Sequence, residues 1–348
     1  MEMPGLTQRV FGRTRDGDEI VQYTFTAETL TVELISYGAT LASVRAPDRH
    51  GSVEEITLGL DTLEGYLNPH PYFGATLGRV ANRVARGRFT LDGTTHTLFC
   101  NNGRNHLHGG KKGFDRAAWA SAGFERSGVA GATFSYASPD GEEGYPGNLD
   151  TRVTYMLNDA GMLEVAWEAR TDKPTIVNLS NHVYWNLKGA GSGDIRDHLV
   201  TLDAESYLPS DDELIPTGEI RSVAGTPYDF RKQKLVGQDI GKAPGGGYDS
   251  CFVLGKPVDG WRRVGTVVAP SSGRCLEMFA TQPGVHFYTG QMMKPMTGRG
   301  GKHFPVYGGF ALETEAFPDA VNQKGFPSVI LRPGETYSEK TRFRFFAE

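Results

Sequence analysis

The residues of this chain best suited to chemistry lie in segments that read as strands. In TIVNLSNHVYWNL, from Thr175 to Leu187, a two-residue period separates Val177, Leu179, Val183 and Trp185, with Asn181, from Asn178, Ser180, His182 and Tyr184. The second set is a row of hydrogen-bonding groups ending in an imidazole and a phenol, so the segment reads as a strand buried on one side and wet on the other. GFALETEAFPDAVN places Phe310 and Leu312 on one face and Glu313 and Glu315 on the other, while TQPGVHFYTG sets Val285 and Phe287 against His286 and Tyr288. Several β segments thus offer acids, bases and aromatic tips, as a sugar-binding cleft on a sheet requires.

Other segments add to the set. GRVANRVARGRF brings Asn82 and Arg83, NHLHGGKKGFD brings His106 and His108, and GYDSCF brings Asp249. Gathered in one cleft with His182 and Glu313, these would supply a carboxylate base, an imidazolium acid, and donors and acceptors for hydroxyl groups. Such a proton-transfer site needs no cofactor. Each residue also has a structural reading. By spacing, Arg79, Arg83, Arg86 and Arg88 form a basic outer stripe. His106 and His108 form an HxH pair that could share a strand face and ligate a metal, but no third ligand stands at a recognisable spacing and Gly109-Gly110 fits a turn, so no metal is expected. Asp249 follows a triple glycine as an Asx-turn residue would, and Glu313 could be a surface carboxylate; spacing leaves both readings open.

The elements that must position these groups are β in character. The 348 residues include 45 Gly and 19 Pro among short β-branched and aromatic runs, with no long helical period. Turn chemistry recurs about every ten residues, the rhythm of a sandwich or barrel, and one domain spanning residues 1–348 is expected. Asp92-Gly93 between GRFTL and TTHTLF predicts a hairpin. The best helix candidate is Asp61 to Tyr66, with Asp61 or Thr62 as N-cap. After Pro333-Gly334, the alternation of Arg342 and Arg344 with Phe343 and Phe345 reads as an edge or outer strand. GAGSGD at Gly189 and PGGGYD at Pro244 match no P-loop and read as loops.

A formal net charge of −5 gives no general attraction to nucleic acid or anionic membrane, so a small neutral partner is expected. Cys100, Cys251 and Cys275 are odd in number and lack CxxC spacing, which points to a reducing compartment. Met1 to Phe11 holds no signal-peptide core and no apolar run spans a bilayer; the chain reads as soluble and cytoplasmic. The sequon Asn178-Leu179-Ser180 lies inside the first strand and reads as chance.

The segments PYFGATLGRVANRVARGRFTLDG, NHLHGGKKGFDRAAW, SPDGEEGYPGNL, NLSNHVYWNL, ELIPTGEI with TPYDFR, GGYDSCF, TQPGVHFYTG and LETEAFPDAVN resemble, in order, the aldose 1-epimerase or galactose mutarotase family, from about Tyr72 to Asn322. The resemblance implies an all-β fold, a large antiparallel β-sandwich (a galactose mutarotase-like supersandwich) with few short helices and the sugar in an open cleft. It implies interconversion of the α and β anomers of free hexoses such as glucose and galactose, with no cofactor and no metal, by a monomer or homodimer. Carried over, Glu313 matches the general base and His182 the general acid. Asn82, Arg83, His108 and Asp249 match positions that grip sugar hydroxyls and the ring oxygen, and Tyr184 and His286 join them as substrate-binding candidates. Arg83, if near Glu313, is expected to keep it ionised. Three departures stand out: His286 and Glu315 replace common glutamines, and Gln291 a common asparagine. Rival readings are a hexose-phosphate epimerase using Lys111, Lys112 or Arg231, a non-catalytic sugar-binding protein, and a glycoside hydrolase using Glu313 and Asp249.

Overall fold

Successive segments bury every second side chain and pair with their neighbours in register, as antiparallel sheet demands. Leu149–Asn158, for example, buries Leu149, Val153, Tyr155 and Leu157 and turns Asp150 and Arg152 outward. The computed structural model describes residues 4–28 and 30–348. Its largest sheet has nine strands in the spatial order 120–126, 129–138, 149–158, 162–171, 337–347, 274–280, 262–268, 199–202 and 234–235. A five-stranded sheet near the N-terminus comprises 5–13, 19–27, 30–35, 40–47 and 53–55. A second five-stranded sheet orders 221–222, 204–207, 249–254, 284–288 and 311–315. All three contribute to one core, where Phe25 and Val32, Val153 and Trp167, and Phe252 and Phe287 are buried together. The fold is the expected antiparallel β-sandwich.

The single α-helix among the described residues is Leu63–Leu67, capped by Thr62, whose Oγ1 accepts from the Gly65 N–H at 3.3 Å. Asp92 and Gly93 both take positive φ between strands 88–91 and 94–97, the geometry of a two-residue hairpin turn. No described helix is long and apolar enough to cross a membrane.

Two expectations are corrected. The closing strand Tyr337–Ala347 is central, paired on one side with 162–169 and on the other with 274–280. Its arginines do face outward, where Arg342 lies 3.9 Å over the Trp261 ring and bonds Glu164 at 2.6 Å. Phe343 and Thr341 face the core. One solvated face belongs to any strand of an open antiparallel sheet and does not mark an edge. The Thr175–Leu187 segment is likewise no continuous half-wet strand. Only 175–176 and 180–181 are ladder-paired, and Asn178, Ser180, His182 and Tyr184 are all buried.

Candidate active site

Glu313 and Glu315 sit on strand Ala311–Glu315, where alternation sends Leu312 and Thr314 to the opposite face. Its partner, strand Gly284–Tyr288, sets His286 opposite Glu313, and the next strand, Asp249–Leu254, sets Cys251 opposite His286. Asp249, His286, Tyr288 and Glu313 therefore reach one side of the sheet. A second wall comes from chain that crosses this sheet. Asn82 and His108 clasp each other: the His108 N–H donates to the Asn82 carbonyl at 3.0 Å, and the Asn82 N–H donates to His108 Nδ1 at 3.1 Å. Because Nδ1 accepts, the His108 proton resides on Nε2. Both residues, and Tyr72, have φ between 50° and 61°, a region that costs a side-chain-bearing residue free energy and recurs at ligand-binding positions.

These walls bound a cleft of about 520 Å³. All eight sequence candidates, Asn82, Arg83, His108, His182, Tyr184, Asp249, His286 and Glu313, line it. His182 is held between aromatic rings, with Tyr184 stacked at 4.7 Å and Tyr72 at 5.9 Å. Its backbone is pinned by bonds to Ala75 and Gly74. Nε2 of His182 lies 3.6 Å from Glu313 Oε1, near enough for charge coupling and too far for a hydrogen bond. Neither His182 Nδ1 nor Glu313 Oε2 has a partner among the described residues.

Burial dominates the electrostatics. It lowers the His182 imidazole to about 3 and holds His108 well below its ordinary value, so both rings are neutral at pH 7. It also raises the Glu313 carboxyl well above its ordinary range, with the Asp249 charge adding to the effect and Arg83 opposing it. Arg83 is therefore outweighed, which corrects the expectation that it keeps Glu313 ionised. Asp249 goes the other way: burial pushes its carboxyl up, but the bond from His286 and the Arg83 charge help to bring it below its ordinary value. The cleft thus holds one carboxyl that favours its proton and one that sheds it.

A family model described as Aldose 1-epimerase matches residues 21–344. The galactose mutarotase of Bos taurus is 46% identical over 345 residues, 99% of each chain. The aldose 1-epimerase of Escherichia coli (strain K12) is 39% identical over 325 residues, 92% of this chain and 93% of that one. The crystal structure of an aldose epimerase homologue from C. elegans superposes with a TM-score of 0.85 at 30% identity, covering 92% of this chain and 97% of that chain. The chain belongs to the aldose 1-epimerase family. It is accordingly an enzyme that acts on carbohydrates.

Within this epimerase fold the basic stripe read from spacing divides. Arg86 and Arg88 are exposed, whereas Arg79 and Arg83 are buried. Arg79 is structural, bonding Ser138, Pro139 and Pro146 at 2.8–3.1 Å. Arg83 lines the cleft with its Nε on Asn102 Oδ1 at 3.1 Å. The HxH pair splits too: His106 bonds the Phe99 carbonyl at 2.7 Å and the Tyr145 hydroxyl, away from His108. The polar row also divides. Asn178 binds the Ala316 N–H at 2.9 Å and supports the Glu315 strand from behind, so the chance reading of its sequon accords with a buried side chain. Sequence reasoning left out Tyr72, Asn102 and Asn105, which line the cleft with Tyr288. Strand alternation marks Tyr288, but only the fold brings Tyr72 against His182. His108, His182 and Glu313 also present donor atoms within 4.8 Å of one another.

Proposed function

We propose that this epimerase interconverts the α and β anomers of free hexoses such as glucose and galactose, with Glu313 as general base and His182 as general acid. The observation that carries the reading is the buried Glu313/His182 pair, 3.6 Å apart at the base of a cleft lined with hydroxyl-binding groups. Glu313 takes the proton of the anomeric hydroxyl, the bond between C1 and the ring oxygen breaks as the aldehyde forms, and His182 delivers its proton to the ring oxygen. Rotation about C1–C2 turns the other carbonyl face to the ring oxygen. Closure then returns one proton to His182 and the other to the new anomeric oxygen.

Ring opening starts from the Glu313 carboxylate and the His182 imidazolium and leaves Glu313 protonated and His182 neutral; burial favours the second state of the pair. The free site therefore rests in the state from which the open aldehyde closes, and the cyclic sugar opens from the minor state in which the proton has moved from Glu313 to His182. Positioned acids and bases contribute about 10²–10⁴-fold each, ample for a reaction that already proceeds in water.

Asn82, Arg83, His108, Tyr184 and Asp249 would hold the sugar, with the His108 Nε2–H a donor and Asp249 an acceptor for hydroxyls. A phosphorylated substrate is disfavoured: none of Lys111, Lys112 and Arg231 lines the cleft, and Arg231 is paired with Asp229 and Glu205. We also assign the enzyme to a reducing, cytoplasmic compartment, in keeping with its three free cysteines. Polarimetry of freshly dissolved α-D-galactose and α-D-glucose tests the reading. Fast equilibration by the wild type and its loss in Glu313→Gln are expected; no acceleration of either sugar overturns it.

A further inference from the structure

In the cleft wall three buried side chains, Asn82, His286 and Glu315, and the half-buried Asp249 form a hydrogen-bonded chain that the acid/base step does not use. The backbone N–H of Arg83 donates to Asn82 Oδ1 at 2.9 Å, which fixes the orientation of the Asn82 amide. Asn82 Nδ2 then has two hydrogens and two neighbours, Glu315 Oε1 at 3.0 Å and His286 Nδ1 at 3.1 Å. If both are used, His286 Nδ1 is an acceptor and its proton lies on Nε2. Nε2 is 2.6 Å from Asp249 Oδ1, so it donates there and leaves the second carboxylate oxygen of Asp249 for the cleft. Glu315 is fully buried, and its direct separation from His286 Nδ1 is 3.6 Å, so the amide of Asn82 is the link between them.

We propose that Glu315 and His286 are coupled positioning residues: through Asn82 they fix the His286 tautomer and hence the rotamer of Asp249, which sets how sugar hydroxyls are recognised. This rests on the reading of the cleft as an epimerase site. Neither residue transfers a proton in the reaction; each acts on the sugar through Asp249. Every donor in the chain has one acceptor, so the polarity runs one way, from Asn82 to Glu315 and from Asn82 through His286 to Asp249. Removing either end frees Asn82 or Asp249 to turn. The loss should appear in ground-state binding and in discrimination among hexoses that differ at one hydroxyl, not in the proton-transfer step.

The tests are Glu315→Leu, Glu315→Gln, His286→Leu, His286→Gln and the Leu/Leu double variant, assayed for kcat and KM on glucose, galactose and xylose, with sugar affinity by calorimetry. Each Leu variant should raise KM and Kd roughly tenfold, the scale of one bond to a charged group, with kcat within about twofold. The Gln variants keep an acceptor at position 315, and at position 286 an acceptor for Asn82 with a donor for Asp249, so they should restore most of the affinity. The double variant should be no worse than the poorer single one, because one chain is broken in both cases. Additive losses, or a fall in kcat at constant KM, overturn the proposal. Calorimetry separates the positioning role from the catalytic one, since a protein that binds sugar without epimerising it still tests the chain. Imidazole nitrogen NMR of the wild type needs no variant to fold: a proton on His286 Nε2 with Nδ1 bare supports the chain, and a proton on Nδ1 overturns it.

Discussion

Replacing Glu313 by Gln should abolish activity and stabilise the protein, and the pH dependence of the second effect ties it to the first. The substitution keeps size and removes no protein hydrogen bond, because Oε2 has no partner and Oε1 is 3.6 Å from His182. The carboxyl has an ordinary value of 4.5 and is raised well above it by burial and by the Asp249 charge. A raised carboxylic acid costs stability only where the unfolded chain is ionised. The cost is nil at and below pH 4.5 and grows by about 1.4 kcal/mol per pH unit until the folded value is reached. At pH 7 it is therefore at most about 3.5 kcal/mol, and a glutamine, which does not titrate, removes it. Mutarotation should fall by about 10²–10⁴-fold with loss of the base. Urea denaturation at pH 4.5 and pH 7, with polarimetry on the same samples, checks both. A variant no more stable than wild type at pH 7, or one stabilised equally at both pH values, refutes the account of the buried charge. A variant that retains activity removes Glu313 as the base.

Other outcomes follow from the same structure. His70 and His106 are lowered to about 4 and His182 to about 3, and His108 and His198 are lowered as well; all protonate more readily when unfolded. Raised acids, Asp115 to about 7 with Glu313, Glu315, Asp319 and Glu339, oppose them between pH 6.5 and 4.5 but not below, where these acids are protonated in both states. Stability should thus change less above about pH 4.5 than below it, where the lowered histidines act unopposed, so that circular dichroism shows steep acid unfolding; a folded protein at pH 3 contradicts this. Gly109→Ala should cost more than about 2 kcal/mol and impair sugar binding, since φ is +90° and a Cβ would meet the Gly78 carbonyl at 1.8 Å, displacing His108; an unchanged melting temperature rules this out. Added Zn²⁺ should inhibit competitively with sugar through His108, His182 and Glu313, whose donors need only modest closure to reach ligand distances of about 2.0–2.2 Å, and His108→Asn should weaken the inhibition. Noncompetitive inhibition, or none at millimolar Zn²⁺, counts against that geometry.

What the sequence made legible was whatever depends on local period and turn chemistry. The alternation in ALETE and GVHFY placed Glu313, His286 and Tyr288 on one face, and Asp-Gly at residues 92–93 placed the hairpin. The same period could not tell which polar face meets a cleft and which meets another layer of protein. Asn178 and Ser180 stand in step with His182 and Tyr184, yet Asn178 is spent on bonds to Ala81 and Ala316, while His182 and Tyr184 line the cavity. Arg79 and Arg83 are four residues apart and both buried, but one closes a turn at Ser138 and the other faces ligand space. Only chain segments distant in sequence decide between such roles. The charge state of the site is still further from local pattern. A nearby arginine argues for an ionised glutamate, and Arg83 does pull Glu313 that way, but desolvation by the sheets and by Tyr72, Tyr184 and Tyr288 acts over the whole enclosure and is the larger effect. The protonation state of the Glu313/His182 pair is thus a property of the enclosure, and substitutions that open the aromatic walls should change it without touching either group.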